Sequence, residues 1–161
     1  PLSVLLACEY PTEGYSWHVV AALPGARLFA PEKFALEAEA AAPGAAACYA
    51  GKTGEQIPIL FSNFDGIVAI VSLGAMVRLV APHLGKKESD PGVVVIDEAG
   101  RFVIPMLSGH LGGANALAGT IAAALDAKAA TIKTDLDEAA RIRAEAEALL
   151  ADIKRQSAEA E

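Results

Sequence analysis

Asp65-Gly-Ile-Val-Ala-Ile-Val-Ser-Leu73 (DGIVAIVSL) is the run on which the fold turns. Its β-branched and small apolar residues do not alternate with polar ones, so it reads as a strand buried on both faces. Gly74 stops it. The next run, Ala75–Leu84 (AMVRLVAPHL), reads as a short helix whose C-terminal end is limited by Pro82. A doubly buried strand, a glycine turn and a helix form half of a parallel crossover unit, and the rest of the chain is read around it.

Upstream, Leu2–Cys8 (LSVLLAC) reads as a buried strand and Gly14–Leu23 as a helix ending in a turn at Pro24-Gly25. Ala26–Ala30 (ARLFA) suggests a second short strand. From Pro31 to Gly54 the composition shifts to Ala, Glu, Pro and Gly, which implies a helical turn or two and a surface loop. Downstream, Val93–Asp97 and Arg101–Met106 flank Glu98-Ala99-Gly100, the pattern of a hairpin with a bulge. Pro105 cannot donate to a ladder, so its strand should be an edge or be ending. A helix is expected from Ala114 to about Leu125 and a short strand at Ala129–Lys133. Thr134 and Asp137 then form a capping box for a last helix. Its apolar residues are Leu136, Ala140, Ile142, Ala146, Leu149, Leu150 and Ile153, and its tail should fray from residue 155. Strands alternating with helices around one embedded hairpin predict an α/β three-layer sandwich with a mixed, mostly parallel sheet. One domain over 1–161 is expected.

The totals narrow the function. The 161 residues are 53% hydrophobic and carry a net charge of -7, from 13 Lys and Arg against 20 Asp and Glu. Binding nucleic acid by counterion release needs clustered cations, and no basic run is present. No stretch approaches the roughly 18 apolar residues of a membrane span. Pro1–Glu9 has no basic segment of a secretory leader. A soluble protein of the cytoplasm, with neither nucleic acid nor membrane as partner, is the expectation. Cys8 and Cys48 read as small buried apolar residues. His18, His83 and His110 share no metal-ligand spacing.

The chemistry concentrates in Ser108-Gly-His-Leu-Gly-Gly-Ala-Asn115 (SGHLGGAN). Gly109, Gly112 and Gly113 would let a ligand approach main-chain N–H groups. The helix that follows would present unpaired donors and a partial positive charge to an anion. His110 is the one side chain here that exchanges a proton near neutral pH without help. Ser108 and Asn115 add a hydroxyl and an amide. The same residues also suit a tight turn that packs closely, and spacing alone leaves both readings open. The glycines do not follow GxGxxG, so a dinucleotide is poorly supported, and Ser108-Gly-His110 is no nucleophile elbow. Gly51-Lys52-Thr53 mimics the end of a phosphate loop but has Ala46 where the first glycine belongs, and reads as a surface loop. A second polar group comprises Arg78, one turn beyond Gly74 and able to grip a carboxylate, with His83, Lys86, Lys87 and Asp90. In open α/β sheets ligands collect beyond the carboxyl ends of strands, and the turns at Gly74 and Gly109–Gly113 are both expected there.

Together GAMVRLVAP (Gly74–Pro82), Lys86 or Lys87, Asp90-Pro91, VVVIDEAG and FVIPMLSGHLGGANALA resemble the N-terminal domain of the CbiG family, over about Phe61 to Asp135. The resemblance implies a hydrolase of anaerobic cobalamin synthesis that opens the ring A lactone of cobalt-precorrin-5A, releases acetaldehyde and yields cobalt-precorrin-5B. It implies no cofactor beyond the cobalt carried by the substrate. Within that implication, His110 would be the base, with Ser108 and Asn115 beside it. The N–H groups near Gly112 and Gly113 would stabilise the oxyanion. Gly74, Arg78, Lys86, Lys87, Asp90 and Gly109 would help bind the substrate's carboxylates. The chain departs from the family in ending in an acidic helix. It also reads Thr131-Ile-Lys-Thr-Asp135 where a threonine-rich stretch is usual. A non-catalytic corrinoid-binding module, or a subunit dependent on other enzymes of the pathway or on a separate C-terminal-like domain, is the alternative. A homodimer would suit the terminal helix.

Overall fold

The computed structural model describes residues 3–7 and 16–159. Leu2, Cys8 and the Gly14–Tyr15 start of the first expected helix lie outside those residues. Six strands make one sheet in the order β3-β2-β1-β4-β5-β6. They are β1 (Ser3–Ala7), β2 (Arg27–Pro31), β3 (Ala46–Tyr49), β4 (Gly66–Ile70), β5 (Gly92–Ile96) and β6 (Val103–Leu107). All neighbours run parallel except β5 and β6. The order steps outward from β1 to β3 and then restarts on the other side of β1, as in doubly wound folds.

Burial explains why the stretch first quoted sits at the centre. Gly66–Ala69 and all of Gly92–Ile96 are buried, as expected of strands covered on both faces. On one face Val68, Val94 and Ile96 meet Val19 and Leu23 of α1 (Ser16–Ala22) and its end, Ala38 of α2 (Ala35–Ala41), and Ala114, Ala118 and Ile121 of α5 (Ala114–Glu159). On the other face Ile67, Ala69, Val93 and Val95 meet Ile57 and Leu60 of α3 (Thr53–Asn63) and Met76 and Val80 of α4 (Leu73–Val80). Neighbouring residues of one strand serve opposite cores, so the three-layer α/β arrangement follows directly from the period of two.

Several details differ from the sequence reading. In the 31–54 region α2 supplies the expected helical turns, but β3 and the start of α3 stand where a surface loop was expected. Pro58 lies inside α3, where the residue four earlier is Gly54. The hairpin is present with β6 at the edge, and its bulge falls between Val93 and Val94, opposite Leu107 and Pro105, not in the connection. Pro105 brings no N–H to the ladder there, which accounts for the slip.

The largest correction concerns the end of the chain. No strand forms at 129–133, and no new helix begins at Thr134. Instead α5 runs unbroken for 46 residues. Alanine at 127, 129 and 130 favours helix. The β-branched hydroxyls that suggested a strand are accommodated: Thr131 Oγ1 donates to Ala127 O and Thr134 Oγ1 to Ala130 O. The chain divides into two compact units, Pro1–Leu125 and Asp126–Glu161. Helix continues to Glu159, through the expected frayed tail.

Candidate functional site

β6 ends at Leu107, which pairs with Val93 at the start of β5. Ser108 follows with a positive φ of 53°, an unusual conformation for a residue with a side chain. The turn then lies across Gly92. A Cβ added to Gly92 would collide with the Gly112 carbonyl, and one added to Gly112 would sit 2.8 Å from Gly92 N. These two glycines let one backbone lie directly on another. Gly113 differs: its φ is 75° and the space around it is open.

The amides of this turn are mostly spent. Gly112 N–H donates to Ser108 O at 3.0 Å, Ala114 N–H to Ser108 O at 3.3 Å and Asn115 N–H to Gly109 O at 3.1 Å. This corrects the expected anion cradle: the chain's own carbonyls cap the helix start, leaving Gly113, not Gly112, as the amide to consider. His110 is exposed and so is Asn115, whose side chain lies over Gly109. The Ser108 hydroxyl is buried and has no hydrogen-bond partner among the described residues. A strained backbone carrying an orphaned hydroxyl marks a position held by its surroundings at local cost.

Beside the turn lies an open groove of about 830 Å³, within the range of small-molecule sites. Phe61 and Phe64, from the end of α3, give it an apolar wall, and Leu111 and Leu117 line it too. Asp65, Glu88 and Asp90 contribute carboxylates, and among the described residues no Lys or Arg lines it. Asp90 is engaged in its own loop, accepting from Gly85 N–H at 3.0 Å. Lys86 and Lys87 are exposed on that same loop. Sequence reasoning missed the aromatic wall, because residues 53–64 were not read as a helix ending against the sheet.

Gly74 and Arg78 do not join this group. The Gly109–Gly113 turn follows the end of β6, whereas Gly74 lies inside the first turn of α4, just beyond the end of β4, and not in a turn of its own; because β6 runs against β4, the two occupy opposite rims of the sheet. Gly66 and Gly92 pair at one rim and Ile70 and Ile96 at the other. Five residues of strand separate them, roughly 16 Å. The Arg78 guanidinium donates to Gly74 O at 2.8 Å, at the rim away from His110. On that far rim Asp97 closes the hairpin, accepting from Arg101 N–H at 2.6 Å and Phe102 N–H at 2.7 Å. Burial pushes the Asp97 carboxyl up, but the bonds from Phe102 and Arg101 outweigh it and hold the group below its ordinary value. Gly51-Lys52-Thr53 joins β3 to α3 and is occupied internally, with Lys52 N–H on Glu55. Among the described residues no cluster of three His, Cys, Asp or Glu could hold a metal ion, and no helix is long and apolar enough to cross a membrane.

Parts of the chain are similar to known proteins. A cobalt-precorrin-5A hydrolase from Priestia megaterium is 51% identical over 79 residues, which are 49% of this chain and 21% of that protein. The chain therefore spans about a fifth of that relative's length. An ATP synthase subunit b from Caulobacter sp. (strain K31) is 68% identical over 41 residues, covering 26% of this chain and 24% of the other. A crystal structure of a cobalamin biosynthesis protein G homolog from Sulfolobus solfataricus superposes with a TM-score of 0.53 at 22% identity, covering 77% of this chain and 34% of that one. Residues 55–135, half of the chain and the span that holds Gly74, Arg78, the 84–91 loop and the whole SGHLGGAN turn, match the family Cobalamin synthesis G N-terminal, and the chain belongs to that family.

Proposed function

We propose that this chain carries the N-terminal part of a cobalt-precorrin-5A hydrolase of anaerobic cobalamin synthesis. The observation that carries the reading is the 51% identity to a protein of that name, over a length equal to half of this chain. In the proposed reaction water adds to the ring A lactone carbonyl and the ring oxygen leaves as an alcohol. The hydroxyl-bearing carbon then departs as acetaldehyde, and the ring takes the electron pair and a proton.

The amino-end rim of the sheet is the proposed place of the chemistry. The flat face of the macrocycle would rest on Phe61, Phe64, Leu111 and Leu117. Its acetate and propionate arms would turn away from Asp65 and Glu88 and outward to Lys86 and Lys87. His110, exposed and next in sequence to the lining residue Leu111, would accept the proton of the attacking water. Gly113 N–H and the Asn115 amide would be the donors nearest the developing oxyanion. Cobalt would arrive with the substrate, and no resident cofactor enters the scheme.

Anaerobic incubation with cobalt-precorrin-5A should release acetaldehyde, from the chain alone or once the remainder of a full-length relative is added. Absence of aldehyde in both mixtures, with the corrinoid still bound in a visible-range titration, would favour the binding-module alternative.

A further inference from the structure

The unit Asp126–Glu161 poses a separate question from the reaction. Every described residue from Asp126 onward is exposed except the half-buried Lys128. Yet the helix displays Ile132, Leu136, Ile142, Leu149, Leu150 and Ile153, each between 45% and 65% exposed. An isolated helix gains little from propensity and exposed ion pairs; most helical stability comes from burying an apolar face. The spacing of that face is regular. Ala129, Ile132, Leu136, Ala139, Arg143, Ala146, Leu150 and Ile153 follow one another at alternating steps of three and four, the seam of a left-handed coiled coil. The ion pairs Arg141–Glu138, Arg141–Glu145 and Arg155–Asp152 lie on the opposite face and leave the seam clear.

We infer that this helix pairs with the same helix of a second copy of the chain, and that the two run antiparallel. The regular seam can pair with its own copy, and charge decides the direction. Arg143 interrupts the apolar seam and already bonds Glu147 on its own helix at 2.9 Å. In a parallel pair in register, Arg143 would face its own counterpart, and Lys128 would approach Lys133 of the second copy. In an antiparallel pair with its two-fold axis between Ala144 and Glu145, Arg143 comes beside Glu147 of the second copy, and the reverse contact forms with it. Leu136 then opposes Ile153, the small Ala139 opposes Leu150, and Ile142 lies beside Leu149, which covers the apolar residues that the heptad places off the central seam. Lys133 still approaches Lys154, a like-charge pair at the solvent-exposed flank.

The test uses the full chain. Sedimentation equilibrium should give a dimer for the parent protein and a monomer for Leu136→Asp/Leu150→Asp, with the thermal unfolding of the α/β unit retained. In a Cys8→Ser/Cys48→Ser background, a mixture of Ala139→Cys and Leu150→Cys chains should cross-link on oxidation, whereas Ala139→Cys alone should not. A monomeric parent protein would overturn the pairing. Efficient self-cross-linking of Ala139→Cys would overturn the antiparallel arrangement.

Discussion

The two rims of the sheet use glycine in opposite ways. At the amino-end rim, Gly92 and Gly112 remove side chains so that one backbone can lie on another, and Ser108 is held at a positive φ with its hydroxyl buried. At the carboxyl-end rim, Gly74 accepts the Arg78 guanidinium on its carbonyl and Asp97 ties off the hairpin with three hydrogen bonds from Arg101 and Phe102. The first arrangement holds backbone strain beside an open groove and an exposed imidazole. The second satisfies its polar groups locally. That contrast is the reason for proposing the chemistry beside His110, although doubly wound sheets usually bind ligands at the other rim.

Substitutions can break the contrast, starting with the largest expected effect. His110→Ala should lower acetaldehyde release about a hundredfold or more if the imidazole is the base; a turnover within threefold of the parent would remove it from that role. Gly92→Ala forces a methyl group into the Gly112 carbonyl and should cost about 1–3 kcal/mol in urea unfolding. An unchanged midpoint would show that the turn yields easily, and that the close packing is incidental. Asp97→Asn should cost about 1 kcal/mol at neutral pH. Because the folded carboxyl titrates below its ordinary value, its contribution is present above the unfolded value of about 3.9 and fades as pH falls through the folded one. Stability curves of variant and parent should therefore converge in acid, and a constant gap down to strong acid would contradict the assignment. Arg78→Ala should shift stability by no more than about 0.5 kcal/mol and leave acetaldehyde release close to the parent's. A loss comparable to that of His110→Ala would move the working site to the other rim.

Much of this was legible in the sequence. DGIVAIVSL announced a doubly covered strand because a period of two with both faces buried leaves no polar residue in its centre, Gly66–Ile70. Pro105 announced an edge because it lacks an N–H. The division of the rims was legible too, since a chain that reverses at Gly100 must end β6 beside the start of β5; grouping Gly74 with Gly109–Gly113 overlooked that consequence. Other features were hidden for physical reasons. β3 (Ala-Ala-Cys-Tyr) has no β-branched residue, and Pro58 disguised α3, so the aromatic wall of the groove could not be foreseen. Capping of Gly112, Ala114 and Asn115 by Ser108 and Gly109 depends on the Ser108 torsion, which residue types alone do not specify. In α5, Thr131, Ile132 and Thr134 resembled a strand and a cap, but surrounding alanines and i−4 hydroxyl bonds keep the helix continuous.

Hydrogen–deuterium exchange of the chain, with and without a soluble cobalt-corrinoid bearing free carboxylates, addresses the choice of rim without requiring turnover. Slower exchange in peptides covering 61–66, 84–92 and 108–120, with 72–79 and 97–102 unchanged, is the expected pattern. Protection confined to 72–79 and 97–102 would contradict the placement of the site beside His110.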